Sequence, residues 1–211
     1  DIIVALSPGT RIDSVVGLNT NASSVTIKMV DPVDGLVYSK KMSLTSYLGI
    51  TDWYSYFTEP IVTIPDFIDS DLPLVYSSAT TTIAIQSTST AYVGGLVIGL
   101  SKEMGDTEWG AKVGIVNYSI KTQDAFGNYT IVPRSFSKRA DFTVKINSVN
   151  VDSFQNLLAS YRNIPIVYVG NNAKSPLQYQ ATMAYGYCKE WSIDIAYSSI
   201  SVLSFQIEGL T

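Results

Sequence analysis

Ser24-Val-Thr-Ile-Lys-Met-Val30 sets Val25, Ile27 and Met29 against Thr26 and Lys28, a period-two alternation that puts the apolar side chains on one face of an extended strand. Asp31-Pro-Val-Asp-Gly35 follows; proline fixes φ and glycine accepts positive φ, so these five residues read as a turn. Leu36 to Leu44 continues as the return strand, and the whole predicts a β-hairpin. Outward from it the chain keeps the same grammar. Thr80 to Gln86 and Tyr92 to Leu100 are predicted strands, the second carrying Gly94, Gly95 and Gly99, which point to a bulge or a close backbone approach. No helix is predicted behind those glycines, so they do not form a dinucleotide or phosphate loop. Val113 to Thr122 and Tyr129 to Val132 flank Gln123-Asp-Ala-Phe-Gly-Asn128, a loop whose Asp, Gly and Asn tolerate left-handed conformation. Phe142 to Ile146, Ile166 to Val169, Ala184 to Cys188, Trp191 to Tyr197 and Ile200 to Leu210 complete the predicted strands.

One segment breaks the alternation. Val151, Phe154, Leu157, Leu158 and Tyr161 fall on one stripe at helical spacing, with Asn150 or Asp152 as N-cap and Pro165 barring continuation. A helix is predicted over about 151–162. Met104-Gly-Asp-Thr-Glu-Trp-Gly110 reads as a linker and places a boundary between residues 105 and 106. The predicted fold is mainly β: two antiparallel β-sandwich domains, the first (1–105) a jelly roll and the second (106–211) a sandwich with one flanking α-helix.

Charged residues make up 15% of the 211 residues, below the roughly 25% of ordinary soluble domains. Either neighbours cover much of the surface, or this is a neutral β protein rich in Ser and Thr. The net charge is −4, and the nearest thing to a basic cluster is Arg134, Lys138 and Arg139. It reads as a solvated patch or a set of inter-subunit ion pairs, and specific nucleic-acid binding is not expected. The single cysteine, Cys188, allows no internal disulfide and fits folding in a reducing cytoplasm. Sequons at Asn21, Asn117 and Asn128 match chance in so Ser/Thr-rich a chain. No apolar run approaches bilayer length, the start lacks the basic flank of a signal peptide, and the missing initial Met marks processing, trimming or a fragment.

The chain has no histidine. That removes the commonest general base and metal ligand and every Ser-His or Cys-His pair, so a non-enzyme without cofactor or metal is expected. Glu103, Asp106, Glu108 and Asp124 carry carboxylates, but their spacing sets no acid opposite a nucleophile. Two further clusters have alternative readings. Trp53, Tyr54, Tyr56 and Phe57 form either a glycan- or partner-stacking platform or an ordinary strand packing Trp53 and Phe57 inward. Asp66, Asp69 and Asp71 form either a Ca²⁺ loop lacking the glycine and glutamate of an EF-hand or a solvated acidic loop.

Several ordered stretches resemble a structural protein family of the tail or baseplate of tailed bacteriophages. In the second half they are Trp109-Gly-Ala-Lys-Val-Gly-Ile-Val-Asn-Tyr-Ser119, Asp124-Ala-Phe-Gly-Asn128, Val132-Pro-Arg-Ser-Phe-Ser-Lys-Arg139, Leu157-Leu-Ala-Ser-Tyr-Arg162, Pro165-Ile-Val-Tyr-Val-Gly170 and Tyr185-Gly-Tyr-Cys-Lys-Glu-Trp-Ser-Ile-Asp-Ile-Ala-Tyr197. The first half contributes Asp52-Trp-Tyr-Ser-Tyr-Phe57, Asp71-Leu-Pro73 and Gly95-Leu-Val-Ile-Gly-Leu100. At the level of fold, the second half is similar to ring-forming tail-tube and distal-tail domains and the first to galactose-binding-like modules. The resemblance implies a non-catalytic virion component, assembled in the host cytoplasm, that forms rings or connects the tail to fibres or appendages. Its implied partners are other tail proteins and copies of itself in a symmetric assembly. The alternative is a carbohydrate-binding module for host-surface glycans.

Overall fold

The computed structural model describes residues 1–46, 50–60, 62–171 and 180–210. The chain divides into two compact units, Asp1–Lys102 and Glu103–Thr211, and every strand pairing within them is antiparallel.

The first unit runs β1 (Ile2–Leu6), β2 (Ser14–Thr20), β3 (Ser24–Asp31), β4 (Gly35–Ser43), β5 (Thr45–Ser46), α1 (Trp53–Thr58), β6 (Val62–Thr63), β7 (Phe67–Asp69), β8 (Thr80–Gln86) and β9 (Val93–Gly99). A four-stranded sheet, β1-β8-β3-β4, faces a three-stranded sheet, β7-β2-β9. The β3–β4 hairpin forms as predicted, with Gly35 at φ +74° and the Asp31 carboxylate accepting from Val33 N at 2.9 Å and Ser78 Oγ at 2.9 Å. Its alternation becomes the core. Val25, Ile27, Ile83 and Ile85 from one sheet meet Val15 and Phe67 from the other, each such burial contributing about 1.5–3 kcal/mol. At Gly17 the Phe67 ring of the neighbouring strand occupies the space a Cβ would need. This is the β-sandwich expected for this half.

The second unit runs β10 (Asp106–Thr107), β11 (Lys112–Asn117), β12 (Ile120–Gln123), β13 (Tyr129–Val132), β14 (Phe136–Asn147), α2 (Val151–Tyr161), β15 (Ile166–Val169), β16 (Met183–Asp194) and β17 (Ile200–Gly209). A sheet in the order β10-β14-β17-β16-β15, with β11 also on β14, carries α2 against it. The predicted stripe supplies the contact: Phe154 and Leu158 are buried, with Val151 and Leu157 packed beside them. Opposite lie Phe142, Val144, Leu203, Phe205 and Ile207.

Three predicted boundaries are corrected. The chain passes between units at Lys102–Glu103 instead of 105–106. Residues 104–110 are no free linker: Met104 packs on the second core, and Gly105, at φ +139°, sits against the Lys145 carbonyl where no Cβ fits. The strands predicted at 184–188 and 191–197 are one strand, β16, with a bulge between Cys188 and Glu190. That extra residue explains how Cys188 and then Trp191 and Ile193, of opposite parity, all face the same core. The strand predicted at 113–122 is broken after Asn117, and its second part leaves the sheet.

Cys188 is buried, and its thiol donates to the Glu190 carbonyl at 3.5 Å. Burial pushes the thiol pKa up to about 11, so almost no thiolate exists at neutral pH. A thiol reagent at pH 7 should label the native protein negligibly and the urea-unfolded protein fully; rapid native labelling would contradict this burial.

Candidate functional site

The aromatic cluster is neither a strand nor part of a core. Trp53, Tyr54, Tyr56 and Phe57 all lie on the helix α1, which has no buried residue. The Asp52 carboxylate accepts from Ser55 N at 2.7 Å, while the Ser55 hydroxyl accepts from Asp52 N at 3.1 Å. This reciprocal cap satisfies the first amides and starts the helix. Pro60 comes directly after the C-cap Glu59. Helical spacing i, i+3, i+4 then gathers three rings on one side. Trp53 stacks on Phe57 at 6.2 Å with an interplanar angle of 22°, and Tyr56 meets both edge-on at 6.0 and 5.2 Å. Trp53 is 78% exposed and Phe57 76%. The inward-packed strand is therefore ruled out for these residues, and a solvent-facing aromatic platform takes its place.

The acidic loop is divided among internal tasks. Asp66 is buried and accepts from the amide of Asn19, whose φ is +50°. Asp69, with its side chain fully buried, accepts from Lys40 Nζ at 2.7 Å and Tyr38 Oη at 2.9 Å, and Asp71 takes Lys40 at 3.0 Å. Asp69 and Asp71 thus share Lys40 while Asp66 turns to Asn19, and the three carboxylates do not converge as Ca²⁺ ligands would. Burial, and then the bond to Asp69, pushes Tyr38 up to about 12. Burial would lower Lys40, but its bonds to Asp69 and Asp71 outweigh that and raise it. Between pH ~10 and ~12 the folded chain therefore keeps protons that the unfolded chain releases, and stability falls as pH rises through that window. Urea titrations should show this decline, shallower in Tyr38→Phe; a flat profile would contradict it.

The candidate inter-subunit cations differ in their surroundings. Arg139 is engaged by Asp141 of its own chain through Nε–Oδ1 at 3.2 Å and Nη2–Oδ2 at 2.9 Å, which raises its pKa further. Lys138 neighbours it on β14, and Arg134 is exposed beyond the strand's start. Of the carboxylates considered for hydrolysis, Glu108 pairs with Lys145 at 2.9 Å and Asp124 organises a turn.

That turn belongs to a feature the alternation concealed. Strands β11 and β14 pair up to Asn117↔Phe136, while β12 and β13 resume at Ile120↔Val132. Two residues, Tyr118 and Ser119, thus face three, Pro133, Arg134 and Ser135. This one-residue slip, with a proline in it, ends the sheet and re-aims the two strands beyond it. The root is fastened: Tyr118 Oη lies 3.0 Å from Ser137 Oγ and donates to Glu208 Oε1 at 3.0 Å, and Ser119 Oγ accepts from Arg134 N at 3.0 Å. Past this root, residues 118–135 form an arm in which every residue of β12 and β13 is exposed. Among the described residues no further strand pairs with either. Its tip is set by Asp124, which accepts from Phe126 N at 2.9 Å, Asn128 N at 2.8 Å and Asn128 Nδ2 at 3.0 Å. The bonds to Asn128 come first among the causes that lower its pKa. Phe126 is 90% exposed at the apex.

No protein-family model matches the chain, and no curated protein matches its sequence. Fold and surface define a mainly β protein of two antiparallel units with exposed aromatic projections. No helix among the described residues is long and apolar enough to cross a membrane.

Proposed function

We propose that this chain is a non-catalytic structural subunit of a bacteriophage tail, forming rings or joining the tail to fibres or appendages through contacts with its neighbours. The observation that carries the assembly part is the arm. A two-stranded hairpin with both faces in water is marginal by itself, and this one bears Ile120, Phe126, Tyr129, Ile131 and Val132 without an internal core to bury them. Low charge and the aromatic face of α1 support the same reading. The phage assignment rests on the family resemblance of the ordered stretches, among them Trp109 to Ser119 and Tyr185 to Tyr197. Imaging of the virion decides it: the two units should fit density in a symmetric tail layer, and peptides of the chain should appear in purified particles. Particles lacking the protein would sink the proposal.

A second reading is favoured by one observation, the exposed Trp53–Phe57 stack, since flat rings are good sugar-binding faces. The chain would then bind host-surface glycans. A glycan array should show binding that Trp53→Ala abolishes while circular dichroism stays native; an array with no signal for the native chain removes this reading.

A further inference from the structure

Charge is segregated along the chain in a way that composition hides. Residues 42–101 contain no Lys or Arg at all, yet hold Asp52, Glu59, Asp66, Asp69 and Asp71. Residues 112–141, the strands that root the arm and the arm itself, hold five of the fourteen Lys and Arg and two of the eighteen Asp and Glu. That segment is net +3, and the remainder of the chain, which totals −4, is net −7. The two apolar projections lie in these two regions. Asp66, Asp69 and Asp71 are engaged within the first unit, which leaves Asp52 and Glu59 beside α1, and the arm itself holds Lys121, Asp124 and Arg134. The arm carries Phe126, Tyr129 and Ile131 with Lys121, whose Nζ sits 3.7 Å from the Tyr129 ring centroid, and with Arg134 at its root. Helix α1 carries Trp53, Tyr56 and Phe57 between Asp52 and Glu59.

We infer that the arm of one copy docks on the α1 face of a second copy, a head-to-tail contact between two different surfaces of the same chain. The inference rests on the reading of this protein as an assembling subunit and names the pair of surfaces that assembles. The chemistry is complementary on both counts. Apolar and aromatic side chains leave water together, and Lys121 and Arg134 of the arm match Asp52 and Glu59 at the two ends of α1, which steers encounter and selects orientation. The arm is also prepared for docking: the Asp124 bonds fix its tip before contact, so little ordering is left to offset the gain. Because the two surfaces differ, a pair still presents one free arm and one free α1 face. Such an interface closes into a ring when the rotation permits and otherwise grows as a filament. Identical self-complementary patches would stop at a dimer.

Sedimentation of the full chain over a wide concentration range tests this. The native chain should form species larger than a dimer, weakened by added salt. Phe126→Asp in the arm and Trp53→Asp with Phe57→Asp on α1 should each weaken association at least about tenfold, with unchanged circular dichroism. Ile131→Glu serves as a second arm variant should Phe126→Asp disturb the tip. The decisive step mixes the arm variant with the α1 variant. One intact arm then meets one intact α1, so a dimer that grows no further is expected. No dimer in the mixture, or association of the native chain that neither set of variants disturbs, overturns the pairing while leaving the tail assignment to virion imaging. A native chain that stays monomeric throughout overturns self-docking, and the presence of the protein in particles again decides the tail reading separately.

Discussion

Lys40→Met should destabilise the first unit by about 2–3 kcal/mol, somewhat less than the ~3–5 kcal/mol of breaking a fully buried ion pair. The lysine itself keeps 38% of its side-chain surface in water, but its partner Asp69 keeps none. Removing the ammonium leaves a carboxylate buried among β2, β4 and β7, with the Tyr38 hydroxyl still donating to it. The charge cannot be rehydrated without opening the sandwich. Replacing both partners, Lys40→Met with Asp69→Leu, should restore much of the loss, since an apolar pair has no unpaired charge to desolvate. Urea unfolding measures both, and hydrogen exchange in β2 and β7 locates the effect. A single variant as stable as the native chain would show that Asp69 is not held as described.

Gly186→Ala should cost the second unit about 3 kcal/mol, at the upper end for overpacking because nothing soft surrounds the site. A Cβ there would run into the Glu208 carbonyl and the Gly209 Cα of the paired strand β17. Backbone held in a ladder cannot step aside as a side chain can. The control lies in the same unit: Gly114→Ala on β11, where a Cβ would meet nothing, should be neutral or slightly stabilising by restricting the unfolded chain. Equal effects at the two glycines, measured by urea unfolding, would refute the close approach.

Much of the architecture was legible because alternation and burial coincide. Val25, Ile27 and Met29 announced β3 and are all buried, and the stripe from Val151 to Tyr161 announced α2. Legibility failed where a residue's role is set by something other than period. Trp53-Tyr-Ser-Tyr-Phe57 fits a strand or a helix equally by hydrophobicity, and four aromatics suggest burial. The signal that could have separated them is local: Asp52 three residues before Ser55, a capping pair, with Pro60 barring extension. The arm escaped for a related reason. Its strands alternate normally, and the slip at Tyr118–Ser119 opposite Pro133–Ser135 shows only when two strands are paired. The first half of β14 was missed as well, since Phe136-Ser-Lys-Arg-Ala140 buries only Ser137 and Ala140, too small to register as a core face. In the acidic loop, spacing revealed carboxylates but not that Lys40 and Asn19, distant in sequence, would claim them.

The slip at the root of the arm also loosens a constraint on how this chain can vary. Changes in length beyond it do not alter the register of β11 with β14, because pairing restarts on the far side. The arm can be lengthened by two residues in each strand and keep every side chain on its face, whereas one residue would turn the pattern over. Reach can thus be altered by small insertions near Phe126 while the sheet beneath is inherited unchanged, and a lineage adapting to a new neighbour could do so at one loop without redesigning a core.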